Sequence, residues 1–124
     1  HYGWLYLFDK GGITMVYNEA TAARAVRSLE FAILCNKILE YRRRIPKSAI
    51  RKIQDYKLPF TAATEDKYLG KIFKYDLIML DYVIKYAEAF NAGDKEAAAE
   101  FRQKAIAAHE EGDRLRNEVL DRGL

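Results

Sequence analysis

Cysteine is nearly absent from this chain of 124 residues: only Cys35 is present, so no disulfide within the chain can brace the fold. With two histidines beside that one thiol, there is no usual zinc ligand set, and no Glu-x-x-His occurs to build a di-iron bundle. The seven glycines form neither a phosphate-cradling loop nor a Gly-x-Ser-x-Gly elbow. No apolar run is long enough to span a bilayer. The opening stretch, His1 to Tyr17, lacks the basic leader and small-residue cleavage site of a secretory signal. These absences weigh against a metal site, a cofactor, a nucleotide-dependent enzyme and a membrane protein. Cys35 ends the apolar run Phe31-Ala32-Ile33-Leu34-Cys35, where a thiol reads as a small buried hydrophobe. A lone thiol of this kind suits a reducing, cytoplasmic setting.

What is present is an ordinary globular balance, half apolar and 31% charged, in a length that suits one domain. Residues 18–124 read as a compact all-α bundle of three long helices and one short one, and residues 1–17 as an N-terminal β-hairpin or tail. In the hairpin, Trp4 to Phe8 and Ile13 to Tyr17 flank Asp9-Lys10-Gly11-Gly12, with aromatic and β-branched residues on a pleated surface. Asn18 caps a first helix that runs to about Arg44, where Pro46 ends it. Its two apolar stripes, Ala22-Val26-Leu29-Ile33 and Phe31-Leu34-Ile38-Tyr41, make it the expected central helix. Ser48 is expected to cap a short second helix that Pro59 stops. Thr64 opens the third helix, which continues to Phe90 or Asn91. Gly93 then takes the left-handed position and Asp94 caps the fourth helix, running from Lys95 to about Asp121. So short a connection makes the last two helices antiparallel neighbours.

The third helix carries the most informative pattern. One row reads Leu69, Phe73, Asp76, Leu80, Val83, Ala87 and Phe90, six apolar positions interrupted by one carboxylate. A second row of Tyr68, Ile72, Tyr75, Met79, Tyr82 and Tyr86 lies beside it, with lysines on the far side, so the buried arc is wide. An unpartnered buried carboxylate is costly, so Asp76 is expected to find a cation on the fourth helix. Antiparallel packing about Gly93 brings the level of Asp76 near residue 110. His109 is then the expected partner, with Arg102 and Arg116 each about 10 Å along the axis at ~1.5 Å per residue. The inward row of the fourth helix, Ala98, Phe101, Ala105, Ala108, Gly112, Leu115 and Val119, is mostly small and either packs closely or leaves a cavity.

Charge is concentrated in one place. Arg42, Arg43, Arg44, Lys47, Arg51, Lys52 and Lys57 are opposed within their span only by Asp55, in a chain whose net charge is +3. A helix C-terminus favours cations through its dipole, which accounts for the arginines but not for the four that follow. Such a cluster, with Tyr41 and Tyr56 to stack on bases, can track a phosphate backbone. The leading expectation is therefore a non-enzymatic interaction protein, self-associating as a homodimer, whose basic surface meets DNA, RNA or an acidic protein. A second reading comes from Arg102-x6-His109, which resembles the arginine-to-histidine spacing of HEPN-type ribonucleases. That resemblance implies metal-independent RNA cleavage at a dimer interface, with Arg102 and His109 contributed by both copies. A third reading is a small-molecule-binding bundle using a cavity beside the fourth helix.

Overall fold

A computed structural model describes residues 19–67 and 69–121, with side chains over 26–67 and 69–118. The hairpin expected over residues 1–17 lies outside the described residues. Within them the chain is an all-α bundle: α1 (Glu19–Leu39), α2 (Lys47–Gln54), α3 (Lys57–Ala63), α4 (Gly70–Asn91) and α5 (Lys95–Asp121). The three long helices are the expected ones in number and order, but the first ends earlier and the third begins later than expected. The one short helix is instead a stretch broken at Asp55 and Tyr56 into two segments, α2 and α3.

The central helix is α4 rather than α1, since α1, α2, α3 and α5 all pack on it. Its first row is the reason. Phe73, Leu80, Val83 and Ala87 are each at most 1% exposed, and each such side chain stabilises the fold by about 1.5–3 kcal/mol when large. Phe60 of α3 joins this row to α1 through rings, its centroid 5.0 Å from Phe31 and 5.3 Å from Phe73, spacings at which edge and tilted pairs are favourable. On α1, Phe31, Cys35 and Ile38 face inward, whereas Leu29 and Ile33 of the other stripe are 51% and 57% exposed.

Helix ends differ from expectation for local reasons. Helix α1 stops at Leu39, well short of Pro46. The Tyr86 hydroxyl donates to the Leu39 carbonyl at 3.5 Å, so one of its terminal carbonyls has a partner. Beyond it the chain unwinds so that Ile45 enters the core, 1% exposed. There the Asn91 side chain holds it: the Ile45 N–H donates to Asn91 Oδ1 at 2.8 Å, and Asn91 Nδ2 donates to the Ile45 carbonyl at 3.0 Å. Pro46, not Ser48, occupies the cap of α2, with no side-chain bond. Pro59 does not stop a helix. It sits in the first turn of α3, where a missing N–H costs nothing.

Nor does Thr64 open α4: its hydroxyl donates back to the Thr61 carbonyl at 2.6 Å, closing α3. Leu69 occupies the cap of α4, with no side-chain bond, and Asp66 steadies the turn before it by accepting from the Leu69 N–H at 2.9 Å. Gly70 then begins the helix, and a Cβ there would collide with the Thr64 carbonyl oxygen. The far end follows expectation. Gly93 has φ +80°, with Gly93 N–H to Phe90 carbonyl at 3.1 Å and Asp94 N–H to Ala89 carbonyl at 3.0 Å, the paired bonds of a Schellman turn. Asp94 caps α5 through the Ala97 N–H at 3.1 Å.

That turn lays α5 against α4 with Ala98, Ala105 and Ala108 buried. Gly112 meets Tyr75 so closely that an added Cβ would touch the tyrosine Cβ at an ordinary 3.5 Å. The small-residue face is therefore close-packed there. Gly112→Ala is expected to fit and to raise stability by up to about 1 kcal/mol through helix propensity. A thermal melt that falls instead would mean the seam has no room for a methyl group.

Candidate functional site

Two polar features stand out. The first is buried. Asp76 is 6% and Ser28 2% exposed, and the Ser28 hydroxyl donates to Asp76 Oδ2 at 2.6 Å. Arg116 of α5 donates to the same Ser28 oxygen at 3.1 Å and also holds Asp113. Asp113 in turn lies 3.3 Å from His109 Nε2. The result is a polar chain that runs through α1, α4 and α5. Burial pushes the Asp76 carboxyl up to about 6, against the Ser28 hydrogen bond and the Arg116 charge, with Asp113 adding to the rise. The direct partner of Asp76 is thus Ser28, not His109. Register explains this only in part: Gly112 lies against Tyr75, near the level the Gly93 turn sets, but His109 leaves the seam to meet Asp113 one turn along its own helix. Arg116 approaches Asp76 only through Ser28. Cys35 is fully buried, and burial first, then the Asp76 charge, pushes its thiol well up, which disfavours the nucleophilic thiolate.

The second feature is open. Arg42, Arg43 and Arg44 lie between α1 and α2, Lys47, Arg51 and Lys52 on α2, and Lys57 at the start of α3; all seven are exposed. Among the described residues, none of the seven meets a carboxylate. On α5, by contrast, Lys104 is paired to Glu100, Arg114 to Glu111 and Glu118, and Arg116 to Asp113. Two depressions adjoin the basic corner and share Leu34 and Lys52 in their walls. One reaches Tyr41, the other Arg27, Glu30, Asp55 and Tyr56. Tyr56 is half-buried against Phe31 and Phe60, at 5.3 and 5.2 Å between centroids. Its hydroxyl is raised by burial and by Glu30, with Arg27 opposing. Tyr41 is 37% exposed.

The row of tyrosines on α4 is largely taken up inside the fold. Tyr82 stacks on Phe101 at 6.3 Å with the Lys85 and Lys104 ammonium groups each 5.6 Å from its ring centroid, and Tyr86 is buried. Arg102 is exposed and His109 half-buried. They stand two turns apart on one helix, about 10 Å along its axis, so one copy does not bring them together. Among the described residues no group of three or more His, Cys, Asp or Glu side chains is arranged to hold a metal ion. No described helix is long and apolar enough to cross a membrane.

Comparison with protein-family models, with curated proteins and with solved structures finds no match.

Proposed function

We propose that this chain is a non-enzymatic interaction module that binds nucleic acid through the basic corner between α1 and α3. The observation that carries the reading is the set of seven exposed cations, none of them spent on an ion pair among the described residues. Exposed charges of this kind contribute little to the fold. Clustered, they attract a polyanion and release its counterions. Self-association belongs to the same reading, supported by Leu29 and Ile33, apolar and exposed one turn apart on α1.

The test is titration of labelled DNA and RNA at two salt concentrations. Replacing Arg43, Arg44, Arg51 and Lys52 with Gln should weaken binding about tenfold across sequences. It should also flatten the salt dependence, by up to about 0.9 in slope for each phosphate no longer neutralised, and leave thermal stability unchanged. Unaltered affinity in that variant would sink the reading. RNA degradation that disappears in His109→Ala would favour the HEPN-like reading instead, since His109 already has a carboxylate on one ring nitrogen to orient it for acid–base work.

A further inference from the structure

Beside the basic corner, the end of α1 and one face of α2 enclose an open groove of about 250 Å3. Its lining is mixed: Leu34, Ile38 and Ala49 are apolar, Ser48 adds a hydroxyl, and Lys37 and Lys52 add two cations. Tyr41, a part-exposed residue, lines it as well, directly before Arg42, Arg43 and Arg44 in the chain. The volume lies below the roughly 300–1,000 Å3 of sites that enclose a drug-sized ligand. It suits one flat ring. Apolar side chains, a part-exposed tyrosine and a cationic border together complement a planar heteroaromatic ring carried on a phosphate chain. From this we infer that the groove takes one unpaired base of a single-stranded nucleic acid, stacked on Tyr41, while Lys37, Lys52 and the neighbouring arginines hold the flanking phosphates.

The inference rests on the nucleic-acid reading above and adds strand selectivity to it. In a duplex the bases are paired and stacked on one another, so a base enters such a groove only at the cost of leaving the stack. A duplex therefore meets this corner through its phosphates alone. A single strand offers both phosphates and free base faces, and stacking on an aromatic side chain tolerates any sequence. An acidic peptide would satisfy the cations but leave the tyrosine face and the apolar lining unused.

The experiment uses the full chain and the fluorescence anisotropy of a short mixed-sequence single strand, a duplex of equal length, and polyglutamate as the acidic-polymer control. The single strand is expected to bind at least about fivefold more tightly than the duplex, and polyglutamate more weakly than either. Tyr41→Ala should lower single-strand affinity about tenfold, the scale of one base stack, while duplex affinity and the salt slope stay as they were. Tyr41→Phe should retain binding. Should Tyr41→Ala lower the melting temperature, Ala49→Met fills the groove from its other side and is expected to give the same selective loss. Equal affinity for both strand forms, or a Tyr41→Ala effect shared by both, overturns the groove inference and leaves the basic-corner reading standing. Binding to polyglutamate with none to either nucleic acid overturns both.

Discussion

Asp76→Asn is expected to make the protein more stable at pH 7.5, by up to about 3 kcal/mol, and to remove a pH dependence that the parent chain shows. The carboxyl of Asp76 is held up at about 6 against an ordinary 3.8, chiefly by burial. A native pKa above the unfolded one means that the native state binds the proton more tightly. This group's contribution is therefore fully present only below the unfolded value and is lost as pH rises through about 6. At about 1.4 kcal/mol per unit, the ionised form costs roughly 3 kcal/mol in the native state above that pH. One unit below, at pH 5, protonation has returned about 1.4 kcal/mol of it. Asparagine keeps a carbonyl oxygen to accept from Ser28 and carries no charge to desolvate. Denaturant melts of both chains at pH 5 and pH 7.5 separate Asp76 from the other titrating groups: their difference should be large at the higher pH and shrink at the lower. If Asp76→Asn is several kcal/mol less stable at pH 7.5, the attraction of Arg116 through Ser28 outweighs burial and the carboxylate is a stabilising anion.

The partner of Asp76 shows where sequence reasoning stops. An acidic residue within the row of Leu69, Phe73, Leu80 and Val83 signals a buried carboxylate on spacing alone, and so it is. Choosing its partner by charge pointed to α5, because a buried anion calls for a cation. The signal that would have found Ser28 is of the same kind as the one that found Asp76. Ser28 stands three residues before Phe31 and seven before Cys35, and so is a lone polar residue in the inward row of α1. Two isolated polar residues in two buried rows are drawn to bond each other, and the Ser28 oxygen then also accepts from Arg116. Which rows face one another, 48 residues apart in the chain, is a tertiary fact that no local pattern carries.

Helix boundaries divide along the same line. The Gly93 corner was legible because every bond that closes it is local, and the interior of α4 because its period is long and interrupted only at Asp76. The early end of α1 was not legible. Residues 40–44 have no breaker of their own, and the reason for unwinding lies in Asn91, beyond two further helices. Pro59 misled for the opposite reason, since proline marks the first turn of a helix as well as its end. The basic corner is legible as composition, because exposure is the default for lysine and arginine. The groove beside it is not, because it depends on the angle at which α2 leaves α1.

That angle is held by Asn91, and Asn91→Ala is expected to cost about 2–3 kcal/mol. Ile45 is nearly fully buried, and both its N–H and its carbonyl bond to the Asn91 amide. Removing that amide strands two backbone groups at the edge of the core, each worth about 1–3 kcal/mol when unsatisfied and less where water can reach it. Asn91→Asp should not rescue the fold. Its carboxylate still accepts from the Ile45 N–H, but it turns an oxygen toward the Ile45 carbonyl where the parent chain has a donor. The Ile45 side chain should meanwhile resist leaving the core, so damage is expected to concentrate in residues 40–46, which carry Tyr41 and the three arginines. Two readouts test this together: denaturant stability, and hydrogen exchange of the Ile45 amide, which should lose its protection in either variant. A chain within about 0.5 kcal/mol of the parent, with that amide still protected, would mean that ordered water replaces both bonds. The path from α1 into α2 would then be set by the burial of Ile45 alone.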